Sequence, residues 1–133
     1  MKKRGFKRGG GFKLKGEEHL QAQVADFMKI QHSNVLWFHP PNEGKHQPAY
    51  RNKQLKLGML PGIPDVVIPV PRGIFCGFAM ELKMPGNKPT ANQLAVQAKM
   101  KKEHWKVIEK CDNLYEAIEH INYYLSLPKK YHE

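Results

Sequence analysis

Two carboxylates and one ammonium group lie at positions where a β-hairpin would bring them together. Asp65 precedes an apolar, β-branched segment, while Glu81 and Lys83 end the segment 74–83, in which every second residue from Ile74 to Leu82 is apolar. The turn residues Pro71-Arg72-Gly73 separate the two segments. If the chain reverses there, Asp65 faces Glu81 across two antiparallel strands, and Lys83 shares the face of Glu81. The opposite face of the second strand is expected to be apolar, with Ile74, Cys76, Phe78, Met80 and Leu82.

This arrangement favours a bound divalent cation. Two facing carboxylates repel each other, and each raises the pKa of the other unless a positive charge intervenes. Ligands that are all oxygen atoms favour Mg²⁺ or Mn²⁺. A lysine beside such an ion can hold a water molecule or stabilise charge that develops on a phosphate. Asp65, Glu81 and Lys83 therefore predict metal-dependent hydrolysis of a phosphodiester, and the alternative is a hairpin edge that carries ordinary charges.

Composition indicates one basic domain. The chain has 133 residues and a formal net charge of +10, with a pI near 9.7. The segment 1–16 is expected to be a flexible basic tail that suits phosphate backbones, although a solubility tail is the alternative.

There is no apolar run of membrane-spanning length, and a secretory signal core is missing. Two isolated cysteines, expected to be reduced, favour a cytoplasmic location, and the histidine spacing disfavours zinc.

Apolar periodicity and turn residues predict the order αβ(α)ββαβα, which gives an α/β fold with a mixed sheet flanked by helices. Besides the hairpin, the expected elements are a helix at 17–32, a strand at 35–38, a short helix at 48–57 ended by Gly58, a helix from Thr90 to about His104, a strand at 105–108 and a last helix capped by Asp112 or Asn113. Thr90 and Gln93 have the spacing of a capping box. The folded domain is expected at 17–127, followed by a loose tail at 128–133.

Five short motifs on these elements resemble the VRR-NUC domain of the PD-(D/E)xK nuclease superfamily. They are Glu18-x-x-Gln21, Pro41-Asn42-Glu43-Gly44, Gly62-Ile63-Pro64-Asp65, Glu81-Leu82-Lys83 and Gln93. The resemblance covers roughly residues 17–125 and implies a restriction-endonuclease-like fold. The family occurs in small phage and bacterial proteins. Its small stand-alone members resemble Holliday-junction resolvases of archaea and tend to be homodimers.

The resemblance also implies roles for individual residues. Asp65, Glu81 and the backbone carbonyl of Leu82 would be metal ligands, and Lys83 would orient the attacking water. Glu18 would complete the acidic cluster directly or through a water, although a first-turn glutamate also complements the helix dipole, and its neighbour Glu17 competes for the role. Gln93 would hold Lys83, water or phosphate in the active site, or serve only as the capping-box residue.

Together, the residues and the resemblance predict a divalent-metal-dependent DNA endonuclease. It is expected to use Mg²⁺ or Mn²⁺ and to select branched or Holliday-junction-like DNA. A homodimer in bacterial or phage-infected host cytoplasm is expected. Contacts to the DNA are expected from Asn42, Lys45, Lys13, Lys15 and Lys88. The alternative is a non-catalytic nucleic-acid-binding module that retains the nuclease fold. A ribosomal-type RNA binder is a weaker alternative that rests only on the tail and the pI.

Overall fold

A computed structural model describes residues 14–41 and 47–131 of the chain. In these residues, helices flank a sheet with the strand order β1-β2-β3. The elements are α1 (Glu17–Gln31), α2 (Pro48–Lys56), β1 (Val66–Ile68), β2 (Gly77–Leu82), α3 (Ala91–Lys102), β3 (Trp105–Cys111) and α4 (Leu114–Ser126). None of the helices within the described ranges is long and apolar enough to cross a membrane. Because β1 is antiparallel to β2 and β2 is parallel to β3, the predicted mixed α/β sheet is confirmed.

The hairpin forms in the register that the sequence predicts. Val66 pairs with Met80 and Ile68 pairs with Phe78, so the same register places Asp65 opposite Glu81. The first strand ends at Ile68. Pro69 follows it, and proline has no N–H with which to extend a ladder.

The second strand of the hairpin begins later than predicted. Ile74 and Cys76 were expected on its apolar face, but both are exposed, and Ile74 retains 78% of its accessible surface. These residues belong to the broad turn, where Arg72 and Phe75 form an isolated bridge. The buried apolar face therefore consists of Phe78, Met80 and Leu82 alone.

The strand predicted at 35–38 is reduced to one bridging residue. Phe38 exchanges two backbone hydrogen bonds with Val67, at 2.9 and 3.0 Å, and so lies beside β1. The N–H of Val35 is already bonded in a turn to the carbonyl of His32. Pro40 and Pro41 follow and provide no donors, so the pairing cannot lengthen in that direction.

The core lies between the sheet and the pair α1 and α4. Its buried side chains come from one stripe of each helix and from one face of the strands, and they include Leu20, Val24, Met28, Phe78, Met80, Leu82, Ile121 and Tyr124. The Tyr124 hydroxyl donates a 2.5 Å hydrogen bond to the carbonyl of Val70, which satisfies the polar end of this aromatic ring. Helix α3 packs against β3, where Gln97 Nε2 donates to the carbonyl of Glu109 at 3.2 Å.

The segment after α4 is bonded to the hairpin turn. The N–H of Gly73 donates to the carbonyl of Pro128 at 2.7 Å, and Arg72 forms an isolated bridge with Lys129. The segment expected to be loose from residue 128 is therefore anchored at its first two residues. His132 and Glu133 lie outside the described ranges.

Candidate active site

Asp65 and Glu81 lie opposite each other at the open end of the hairpin, and both are buried. Asp65 retains 8% of its accessible surface and Glu81 retains 1%. The backbone N–H of Leu82 donates to Asp65 Oδ2 at 2.8 Å, which ties the aspartate of one strand to the backbone of the other. Such a bond fixes the orientation of the carboxylate.

Glu81 has too little positive charge around it to offset its burial. Gln93 Nε2 donates to Glu81 Oε1 at 2.9 Å, and Lys83 Nζ lies 3.8 Å from the same oxygen. The other oxygen, Oε2, is buried without a hydrogen-bond partner. Burial first, and then the charge and side-chain hydrogen bonding of Asp65, raise the pKa of Glu81 to about 9, although Lys83 opposes the rise. The pair therefore calls for a further cationic partner.

Gln93 forms the predicted capping box and also contacts Glu81, while its role in holding Lys83, water or phosphate stays a prediction. Thr90 Oγ1 accepts a hydrogen bond from the Gln93 N–H, and Gln93 Oε1 accepts one from the Thr90 N–H, so the predicted capping box is present. The amide nitrogen of the same side chain binds Glu81. The first turn of α3 is thus fixed by the side chain that also holds the glutamate.

Lys83 is held at the end of β2 by its backbone. Its N–H donates to the carbonyl of Cys111 at 2.9 Å, and 8% of its accessible surface remains. The pairing of β2 with β3 changes register between Met80 and Leu82. Irregularities of this kind are common next to active sites because they redirect side chains.

Gly62 allows the loop before Asp65 to approach the first turn of α3. Its φ angle is +86°, and a Cβ atom built there would lie 2.7 Å from the backbone of Asn92 and 2.8 Å from the backbone nitrogen of Gln93. A side chain at this position would clash with peptide atoms that cannot rotate away. The close contact therefore fixes the distance between the loop and the residue that binds Glu81.

Sequence reasoning missed the support that His39 gives to Asp65. His39 Nδ1 donates a 2.7 Å hydrogen bond to the backbone carbonyl of Asp65. The preceding residue, Phe38, is the one that pairs with β1. No spacing in the sequence indicates this bond, because it depends on which residue of the segment forms the bridge.

The first turn of α1 lies near the end of β2. A Cβ atom at Gly16 would lie 3.2 Å from Met84 Sδ. Glu17 is half-buried, and its charge contributes to the raised pKa of Glu81, whereas Glu18 is exposed. Within the described ranges, no group of three or more His, Cys, Asp and Glu side chains could hold a metal ion. The role of Glu18 in an acidic cluster stays a prediction.

The predicted DNA contacts are only partly within the described ranges. Lys15 and Lys88 are exposed, the first before α1 and the second between β2 and α3. Lys13, Asn42 and Lys45 lie outside the described ranges.

The donor atoms of the site fit Mg²⁺ or Mn²⁺. Asp65 and Glu81 provide carboxylate oxygens, and the unbonded Glu81 Oε2 is a buried atom that a cation would satisfy. The N–H and the C=O of a residue in an extended strand point to the same edge. Since the Leu82 N–H is directed at Asp65, the Leu82 carbonyl is expected on that side too. That this carbonyl is a metal ligand stays a prediction.

One solved structure that the chain resembles is described as a VRR_NUC domain protein. The two chains are 25% identical, the match covers 86% of this chain and 93% of that one, and the TM-score is 0.65. No protein-family model matches the chain, and no curated protein matches it in sequence. The fold and this similarity thus define a nuclease-like domain. The resemblance to the VRR-NUC domain, and the fold that it implies, are confirmed.

We expect G62A to be more destabilising than G58A. Both glycines have positive φ angles, but a Cβ atom at Gly58 meets nothing within 4 Å. Both variants place an alanine at a positive φ angle, which is destabilising, and only G62A adds the clash with α3. Overpacking of this kind costs roughly 1–3 kcal/mol, which urea unfolding of the two variants would measure. Equal free energies of unfolding would show that the contact is not constraining.

We expect E81Q to remove a pH dependence of the stability of metal-free protein. Because folding raises the pKa of Glu81 from 4.5 to about 9, folded protein retains a proton that unfolded protein has lost between these values. The free energy of unfolding should therefore fall as the pH rises through this window, by at most about 1.4 kcal/mol per pH unit for one proton. Urea unfolding in chelator should show that E81Q gains stability relative to wild type towards pH 9. A difference that does not depend on pH would contradict the raised pKa.

Proposed function

We propose that the chain is a divalent-metal-dependent DNA endonuclease that hydrolyses phosphodiester bonds. The observation that supports this most strongly is the buried, facing pair of Asp65 and Glu81 with Lys83 Nζ 3.8 Å from the glutamate. A domain that only binds nucleic acid gains nothing from buried carboxylates beside a phosphate, since they would repel it. The similarity to a VRR_NUC domain protein supports the same class of function.

Each side chain has a distinct task in the proposed reaction. A bound Mg²⁺ or Mn²⁺ would neutralise both carboxylates and polarise a phosphoryl oxygen. Asp65 is oriented for this by the Leu82 N–H, and Glu81 by Gln93. Lys83 orients the attacking water and stabilises the charge that develops on the phosphate oxygens. Because Mg²⁺ activates water less strongly than zinc does, Lys83 or a phosphate oxygen must assist the loss of the proton.

We further propose that the substrate is branched or Holliday-junction-like DNA and that the active form is a homodimer. The family resemblance supports both, and the net charge of +10 suits a polyanionic substrate. We propose that Glu18 contributes to the acidic cluster, directly or through a water. The proposed location is the cytoplasm of a bacterium or of a phage-infected host. Lys15 and Lys88, both exposed beside elements of the site, are proposed DNA contacts.

The purified protein should cleave plasmid, flap or four-way-junction DNA when Mg²⁺ or Mn²⁺ is added, and not in chelator. E81Q keeps the size of the side chain but removes a ligand charge, so it should lower the cleavage rate by at least about 10²-fold, as should K83A. The matched control is E109Q, since Glu109 is an exposed strand residue that pairs with Lys101. It should cleave at the wild-type rate.

Cleavage by E81Q at the wild-type rate would overturn the site assignment. Salt-sensitive binding of the wild type to the same DNA, without cleavage in either metal, would favour the non-catalytic module. A preference for the four-way junction over linear duplex would support the proposed substrate, and equal rates would count against it.

A further inference from the structure

Helix α2 is unusual because it buries none of its side chains. It has nine residues, and helices of that length are marginal in water unless one face packs against the rest of the fold. Only Gln54 is half-buried, and the remaining side chains of the helix are exposed. The helix thus presents nearly its whole circumference as surface.

The charge of this surface has one sign. Arg51, Lys53 and Lys56 are exposed, and the segment 47–64 contains no acidic residue. Lys53 and Lys56 lie in the last turn, where cations also complement the helix dipole. That effect does not explain why acidic residues are missing from the first turn, where they would complement the dipole equally well. A uniformly cationic surface is suited to a polyanion.

An apolar groove of about 410 Å³ adjoins the C-terminal part of the helix. Gln54 of α2 and its C-cap residue Leu57 line the groove together with Phe38 and Ile63. Two of these residues adjoin the site along the chain. Ile63 precedes Pro64 and Asp65, and Phe38 precedes His39, which donates to the Asp65 carbonyl. The C-terminal part of α2 therefore lies across this groove from the segments that lead to Asp65 and His39.

We propose that α2 binds the phosphate backbone of the DNA substrate, with Lys53 and Lys56 contacting phosphates that flank the cleaved bond. This deepens the proposed nuclease function and rests on it for the identity of the substrate. A second copy of the chain fits this surface less well, because symmetric pairing of α2 would bring like charges together.

The test compares binding, not cleavage, in K53A/K56A and wild-type protein. Fluorescence anisotropy with a labelled four-way junction in chelator reports affinity without any turnover. Loss of two phosphate contacts should weaken binding about tenfold or more at 0.1 M salt and reduce the salt slope by about 2. The matched control is K129A/K130A, which removes two exposed lysines beside the hairpin turn, at the far end of β1 and β2 from Asp65 and Glu81. It should bind as the wild type does.

Several outcomes would overturn the proposal. They are wild-type affinity and salt slope in K53A/K56A, an equal loss in the control, and no binding of the junction by wild-type protein. If K53A/K56A sediments as a monomer where the wild type sediments as a dimer, and its DNA affinity is unchanged, α2 would instead be a contact between two copies of the chain. If α2 proves essential for binding but the wild type cleaves in neither Mg²⁺ nor Mn²⁺, the nuclease proposal fails while this one stands. Circular dichroism would verify that both variants are folded.

Discussion

The mutual repulsion of two buried carboxylates is the constraint on which the site depends. Asp65 and Glu81 face each other because the hairpin register, in which Val66 pairs with Met80, places them opposite each other. The protein provides a backbone N–H to one and a glutamine amide to the other. Lys83 adds positive charge at 3.8 Å, yet the pKa of Glu81 remains near 9. These groups orient the two carboxyl groups but do not stabilise a second negative charge, so metal-free Glu81 keeps a proton that a divalent cation could replace.

Close backbone contacts between distant segments make this geometry possible. Gly62 brings the loop before β1 against the first turn of α3, so that Gln93 can reach Glu81. Phe38 pairs with Val67, and this places His39 within reach of the Asp65 carbonyl. Each contact fixes the segment around Asp65, relative to α3 in the first case and to the bridging segment at Phe38 in the second. The core behind β2 is apolar and continuous, so the sheet itself is a rigid base for the site.

The sequence predicts what is determined locally. Alternation and turn residues determine the hairpin register, and the spacing of Thr90 and Gln93 determines the capping box. Tertiary packing determines the rest. The strand at 35–38 fails because a turn engages Val35 and prolines follow. Whether Glu17 or Glu18 faces Glu81 depends on the rotation of α1 about its own axis, which adjacent glutamates in a sequence do not reveal. The bond from His39 likewise has no local cause.

A crystal structure of the protein soaked in Mn²⁺, with anomalous data collected near the manganese absorption edge, tests the central claim most directly. The expected result is an anomalous peak between the hairpin strands, with carboxylate oxygens of both Asp65 and Glu81 at about 2.1–2.2 Å. The electron density would also show whether the Leu82 carbonyl or a carboxylate in the first turn of α1 completes the coordination. A saturated crystal that has no peak between Asp65 and Glu81, while the two carboxylates still face each other, would contradict the claim that this pair is a metal site.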